Sequence, residues 1–259
     1  MTEQDFNEYL RKTLFDEAKT DENFEKVHAI YQKTAKYLQN FPFVKYPYPG
    51  YEALEYVCKY FTFNTVLDVG CGEGYQSTAF LEKGKKVTGI DYGKTYRIAY
   101  CEEKDDFNLI IDDFNTYEFK EKYDLVWCCH VLEHQLNVQS FLTKLLSVVD
   151  EGGIIAITVP PYKSEIVGGH VNLYNAGMLL YRLILAGCDC REASVKKYGY
   201  NISVVVKKRS INPLEEICYD TGDIKTLKRY FPDEIAFYDG NLMRDLYFEG
   251  NLAEINWKR

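Results

Sequence analysis

An α/β protein built on an open, mostly parallel sheet is predicted by three features of this 259-residue chain. Short apolar runs alternate with amphipathic stretches between residues 51 and 209. The first such run ends in a glycine-rich turn. The last two runs are joined closely enough to make a hairpin. Alternation of this kind covers a parallel sheet with helices on both faces, and the chain is long enough to bury a substantial core.

The elements follow in order. Residues 1–50 read as a helical lid and a proline-rich crossing segment: Leu10, Leu14, Ala18, Val27, Ile30, Tyr31 and Leu38 recur at helical spacing, and Pro42, Pro47, Pro49 and Gly50 then stop helix formation. A helix is expected at 51–61, and "TVLDVG" (65–70) is a buried parallel strand. Helix 75–83, strand 85–91, helix 94–102, strand 107–113 and strand 123–129 come next. "VQSFLTKLLSVVD" (138–150) has an apolar helical face, and "GGIIAITVP" (152–160) is strand. Helix 175–187 ends at Gly187, the residue type favoured just past a helix. Strands 190–198 and 201–209 form the hairpin, which adds an antiparallel strand at the sheet edge. Residues 210–259 are a polar, tyrosine-bearing extension of short helices. The core at 51–209 and its two flanks are expected to form one integrated domain.

Composition narrows the function. Net charge is −8 with pI near 5.2, a poor footprint for a nucleic-acid backbone. No run of 18 apolar residues appears, and "MTEQDFNEYLRK" lacks a signal-peptide pattern, so no membrane partner and a cytoplasmic location are expected. The eight cysteines contain no C-x-x-C pair and read as reduced thiols, several of them core filler.

The glycine turn "LDVGCGEGYQS" (67–77) separates cofactor classes. A dinucleotide loop would place glycine at 75, where Tyr75 stands; the pattern is Asp68-x-Gly70-x-Gly72-x-Gly74. Glycines here permit positive φ and close backbone approach. Asp91 ends the second strand, 21 residues beyond Gly70, where a carboxylate can accept two ribose hydroxyls. The motif after strand one resembles motif I of the class I S-adenosylmethionine-dependent methyltransferases, a likeness covering about residues 51–209. It implies a Rossmann-like, doubly wound seven-stranded sheet with its last strand antiparallel, and S-adenosylmethionine as cofactor. The implied cofactor contacts are Asp68, Gly70, Cys71, Gly72, Glu73, Gly74, Asp91, Tyr92, Asp113 and Phe114. Asp68 and Glu73 fall near the methionine ammonium. Asp113 faces the adenine amine while Asp112 is solvated, and Phe114 packs either on adenine or in the core.

"CHVLEHQLN" (129–137) holds His130, Glu133 and His134, and "VGGHVNLYN" (167–175) holds His170; the chain has four histidines. H-x-x-E-H is also the inverted zinc-protease motif, but that chemistry needs both histidines on a helix, and "YDLVWCC" has strand character. Two catalytic readings stay open. His130 or His170 is a general base, a role worth ~10²–10⁴-fold. Alternatively, His130, Glu133, His134 and His170 bind a divalent metal ion that polarises the acceptor oxygen. The metal reading resembles the Asp/Glu-x-x-Glu-His turn of small-RNA 3′-terminal and ubiquinone-pathway O-methyltransferases, with His130 in place of the first acid. Asn172 or Tyr174 is expected to cap the helix near 175, and Tyr46, Tyr48 and Tyr162 are candidate acceptor-pocket residues.

The turn, the H-x-N-x-Tyr loop and the lid together resemble bacterial sugar O-methyltransferases of surface-polysaccharide synthesis. The expected reaction is in-line methyl transfer to a hydroxyl of a nucleotide sugar or glycan precursor. The alternatives are a nucleic-acid 2′-O-methyltransferase, a quinone-type small-molecule methyltransferase and a non-catalytic cofactor-binding protein.

Overall fold

The computed structural model describes residues 48–93, 105–240 and 245–258. The expected helical lid, Tyr46 and the expected helix at 94–102 lie outside the described residues. Helix α1 (Tyr51–Tyr60) leads into strand β1 (Thr65–Val69), followed by α2 (Tyr75–Glu82), β2 (Lys86–Asp91), β3 (Phe107–Ile111) and β4 (Tyr123–Cys129). Then come α3 (Val138–Ser147), β5 (Val149–Val159), α4 (Ala176–Leu185), β6 (Ser194–Tyr198) and β7 (Asn201–Lys207). The C-terminal region contributes α5 (Asp223–Leu227), β8 (Phe237–Asp239), β9 (Leu246–Phe248) and β10 (Glu254–Ile255).

The sheet order is β10-β6-β7-β5-β4-β1-β2-β3. β3, β2, β1, β4 and β5 are parallel neighbours, and β7 runs antiparallel to both β5 and β6. This is a Rossmann-like, doubly wound arrangement with an antiparallel strand next to β5. Two details differ from expectation. β7 is inserted between β5 and β6 rather than placed at the edge. The edge is taken by β10, from the C-terminal region, which pairs with Val195 and Lys196 of β6. Chain order reverses between β1 and β4, so the turns after these two strands emerge side by side.

Central strands are buried on both faces, which explains their near-continuous apolar sequence: Leu125, Val126, Trp127 and Cys128 in β4, and Ile154 to Val159 in β5, are all buried. Phe141, Leu142 and Leu145 of α3 fill the space beneath β4 and β5, each at most 1% exposed. Burial of such side chains contributes roughly 1.5–3 kcal/mol apiece. α3 stops at Ser147, three residues before the expected end, because Val149 pairs with Tyr123 and begins β5. β3 likewise ends at Ile111 rather than 113: the Asp112 carboxylate accepts from the Asp113 amide and turns the chain out of the strand. α4 begins with Asn175 itself as the cap, its Oδ1 accepting from the Met178 amide, so neither Asn172 nor Tyr174 has that role. Among the described residues, no helix is long and apolar enough to cross a membrane.

Candidate active site

The turn after β1 is a cradle. Gly70, Gly72 and Gly74 have φ of 72°, 49° and 74°, values that L side chains rarely adopt. A Cβ on Gly70 would lie 2.3 Å from Val131 Cγ2, so the glycine turn and the turn after β4 are in van der Waals contact. A Cβ on Gly72 would meet nothing within 4 Å, which leaves that backbone open to a ligand. The Gly70 amide donates to the Ile90 carbonyl (2.8 Å) and the Gly72 amide to Asp91 Oδ2 (3.0 Å). Asp91 Oδ1 accepts from the Gly93 amide (3.1 Å). Asp91 is therefore fixed at the lip of the cradle, each oxygen holding one backbone N–H and retaining capacity to accept another.

Beneath the turn, Asp68 is 2% exposed and accepts a 2.6 Å hydrogen bond from Ser77 Oγ on α2. Burial pushes its carboxyl up to about 7, against the opposing effect of Ser77, and the Asp91 charge adds to the rise. Cys71 is buried and packs against Gly89, where a Cβ would fall 2.8 Å from its Sγ. Glu73 is half-buried on the turn. At the next strand end, Asp113 Oδ1 accepts from the backbone and side-chain nitrogens of Asn115. Tyr92 lies beside it; burial and its hydrogen bond to Asp113 hold the phenol above its ordinary pKa. Phe114 is turned inward, with its ring 5.1 Å from Phe141 and 5.7 Å from Phe119. Its side chain packs in the core, one of the two placements expected for it.

The second wall is the turn after β4. His130 ends the strand at φ 56°, and Leu132–His134 form one 3-10 turn. No α-helix carries the H-x-x-E-H pattern, so the zinc-protease reading falls. Glu133 is fully buried, yet neither carboxylate oxygen has a well-aligned hydrogen bond. His130 Nδ1 stands 3.3 Å from Glu133 Oε1, and His134 Nε2 stands 3.8 Å from the same oxygen. His130 Nε2 is 3.0 Å from Asn201 Oδ1, in the β6–β7 hairpin. Both nitrogens of His130 thus face acceptors. Burial disfavours its charged form, but Glu133 and Asn201 outweigh that and raise its pKa. His130 is thus held between Glu133 and Asn201, with both ring nitrogens directed at polar partners.

The loop after β5 is fastened to this turn. The amides of Val171 and Asn172 both donate to the Glu133 carbonyl, and Asn172 Nδ2 donates to the Gln135 carbonyl (2.6 Å). His134 Nδ1 donates to the Gly169 carbonyl (2.7 Å). Gly169 has φ 80°, and a Cβ there would lie 3.1 Å from His134 Nδ1, so only glycine fits this approach. The same stitching brings His170 to His134, with ring centroids 5.0 Å apart. Ligating atoms of Glu133, His134 and His170 all lie within 4.8 Å of one another. His170, Asn172, Lys163 and Tyr200 line a small pocket of about 110 Å³. Tyr162, expected in that pocket, is exposed beside it. Asn201 and Ser77 were not singled out from sequence. Asn201 sits in what reads as an ordinary strand start, and a serine on a helix has no signal of its own.

Comparison with known proteins places this geometry. Residues 67–157 match the family model of a methyltransferase domain. The ubiquinone biosynthesis O-methyltransferase of Rickettsia canadensis is 30% identical over 168 residues, covering 63% of this chain and 64% of that protein. The Rickettsia bellii protein of the same name is 34% identical over 97 residues, covering 36% of this chain and 40% of its own. The chain thus spans less than two thirds of these curated relatives. Among solved structures, Burkholderia thailandensis 1,6-didemethyltoxoflavin-N1-methyltransferase superposes with a TM-score of 0.51 at 13% identity, covering 82% of this chain and 92% of that one. A SAM-dependent methyltransferase from Archaeoglobus fulgidus gives 0.52 at 18% identity, over 69% and 94%. These structural likenesses speak for the fold. Residues 67–157 thus resemble a methyltransferase domain, and the sheet shares the Rossmann-like fold of these solved structures. The named relatives are ubiquinone-pathway rather than sugar methyltransferases, so the expected polysaccharide-precursor acceptor finds no support among them.

Proposed function

We propose that this protein transfers a methyl group from S-adenosylmethionine to a hydroxyl of a small aromatic, quinone-type acceptor. The observation that carries the reading is the contact between the glycine cradle at 70–74 and the His130–His134 turn at the point where strand order reverses. The residues fit the donor. Gly72 leaves its backbone open, and Asp91 and Asp113 present carboxylates at consecutive strand ends. When bound, the donor supplies a sulfonium-activated methyl that passes to oxygen as its carbon–sulfur bond breaks. The cradle orients that methyl toward the pocket beside His170, and the pocket holds the acceptor hydroxyl in line at roughly 3–3.5 Å. His170 has no ring hydrogen bond among the described residues and takes the hydroxyl proton. Glu133, His134 and His170 also have the donor set for a divalent ion, which would lower the acceptor's pKa at the same place.

The quinone-type acceptor is supported by the named relatives. The acceptor on a nucleotide sugar is the second reading, and the polar lining of Lys163 and Asn172 is what favours it. Incubation with methyl-labelled donor and a panel of catechols, nucleotide sugars and short RNA tests the proposal. Label is expected in catechol. Label confined to nucleotide sugars would move the acceptor class, and label in none, with no binding of S-adenosylhomocysteine by calorimetry, would end it.

A further inference from the structure

Building on the methyl-transfer reading, on which this rests, we propose that Tyr200 and Lys163 select the acceptor. The Tyr200 ring is the platform for a flat hydroxyaromatic ring, and the Lys163 amine pairs with an acid group that this ring carries. The acceptor is then an anionic aromatic rather than a neutral one.

The platform is built by the hairpin. Tyr198 pairs with Asn201, so the turn between β6 and β7 holds only Gly199 and Tyr200. Gly199 takes the positive φ, 49°, that so short a hairpin turn demands of its first residue. Both residues flanking the turn are anchored. Tyr198 Oη lies 2.8 Å from Ser203 Oγ and accepts from the Ala53 amide at 3.3 Å. Asn201 Oδ1 meets His130 Nε2 at 3.0 Å. Tyr200 therefore stands between two fixed points, yet its side chain is 40% exposed and its hydroxyl has no hydrogen bond among the described residues. A large ring held by a stiff turn and left open loses little freedom when a flat ligand stacks on it. The ring also faces the proposed reaction: it lies 6.1 Å from the His130 ring and lines the same pocket as His170 and Asn172.

The charge comes from the facing loop. Lys163 Nζ stands 4.4 Å from the centroid of the Tyr200 ring. The chain just before it is pinned, because the Tyr162 amide donates to the Tyr174 carbonyl at 2.8 Å. Lys163 itself is exposed and has no ion pair among the described residues. A cation on the face of an exposed ring is weakly held. An arriving aromatic ring takes that face, and the amine turns to the acid group at its edge. An anion then gains a charge-assisted hydrogen bond that a neutral ring does not. The flexible stem and rotatable donors of lysine serve a carboxylate or a phosphate alike. Glu165 lines the same pocket and opposes an anion. It has no hydrogen bond or ion pair among the described residues, whereas Lys163 is already seated on the platform.

The test uses the full chain and three probes: a catechol bearing a carboxylate, its neutral methyl ester, and a catechol bearing a phosphonate. Binding is read by calorimetry in the presence of S-adenosylhomocysteine, and turnover separately with methyl-labelled donor. At least one anionic probe is expected to bind about tenfold more tightly than the ester, the gain from one charge-assisted hydrogen bond. The tighter of the two identifies the acid group. Lys163→Met should erase the preference, Lys163→Arg should restore it, and Glu165→Gln should widen it. Tyr200→Ala should raise KM for every probe several-fold while kcat and S-adenosylhomocysteine affinity hold, and Tyr200→Phe, which keeps the ring, should restore KM. Equal affinity for ester and anionic probes, no binding of any probe, a preference that survives in Lys163→Met, or a KM unmoved in Tyr200→Ala would each overturn the inference. Binding that depends on Lys163, with no label passed to any probe, would sink the methyl-transfer reading and leave the anion site standing. Label passed equally to all three would do the reverse.

Discussion

At the scale of single residues, the cradle separates two costs that a glycine can carry. Gly70→Ala meets both a left-handed backbone, worth about 1–2 kcal/mol, and a 2.3 Å approach to Val131. Gly72→Ala meets only the backbone cost. Gly70→Ala is therefore expected to lower stability by more than its neighbour and to abolish S-adenosylhomocysteine binding; urea unfolding and calorimetry on the pair will show whether it does. Asp68 gives a pH signature. Its folded pKa, about 7, lies above the unfolded value of 3.8. The folded state then binds more protons, so its contribution is fully present below about pH 4 and is lost as pH rises towards 7. The difference in unfolding free energy between wild type and Asp68→Asn should change across that window and be flat above it. A flat difference throughout would deny the buried proton. Gly70, Asp91 and the histidine turn were legible because each is a local pattern. Asn201 was not, since its contact with His130 spans 71 positions and depends on where β7 enters the sheet.

At the scale of elements, the strands were readable from apolar runs and the helices from their faces, but some ends were not. α3 was expected to reach residue 150, yet Val149 is claimed by Tyr123 of β4, a tertiary pairing that local periodicity does not encode. The start of α4 matters more, because it positions the end of the loop carrying His170. Asn175→Ala removes the bond to the Met178 amide and is expected to cost about 1 kcal/mol. Thermal unfolding will measure it, and serine at this position should restore most of the loss. Asn172→Ala should behave differently. It releases the link to the Gln135 carbonyl and is expected to raise KM for the acceptor several-fold with donor affinity unchanged.

At the scale of the whole molecule, the C-terminal region closes the sheet edge. β10 pairs with β6, and Trp257 stacks on Tyr56 of α1 with centroids 4.0 Å apart. Trp257→Ala is expected to cost about 3 kcal/mol, in the range for emptying a large aromatic site. Removing residues 250–258 should in addition bare the β6 edge and promote self-association, visible by light scattering. Composition could not announce this strand: two residues within a polar tail carry no period. The hairpin between β6 and β7 has a consequence of another kind. Because Asn201 opens β7 directly after the turn and meets His130 at the end of β4, lengthening that turn by even one residue would withdraw the clamp from His130. Redesign of the proposed acceptor site should therefore diversify positions 162–168, which are exposed, and keep the span from Tyr198 to Asn201 at its native length.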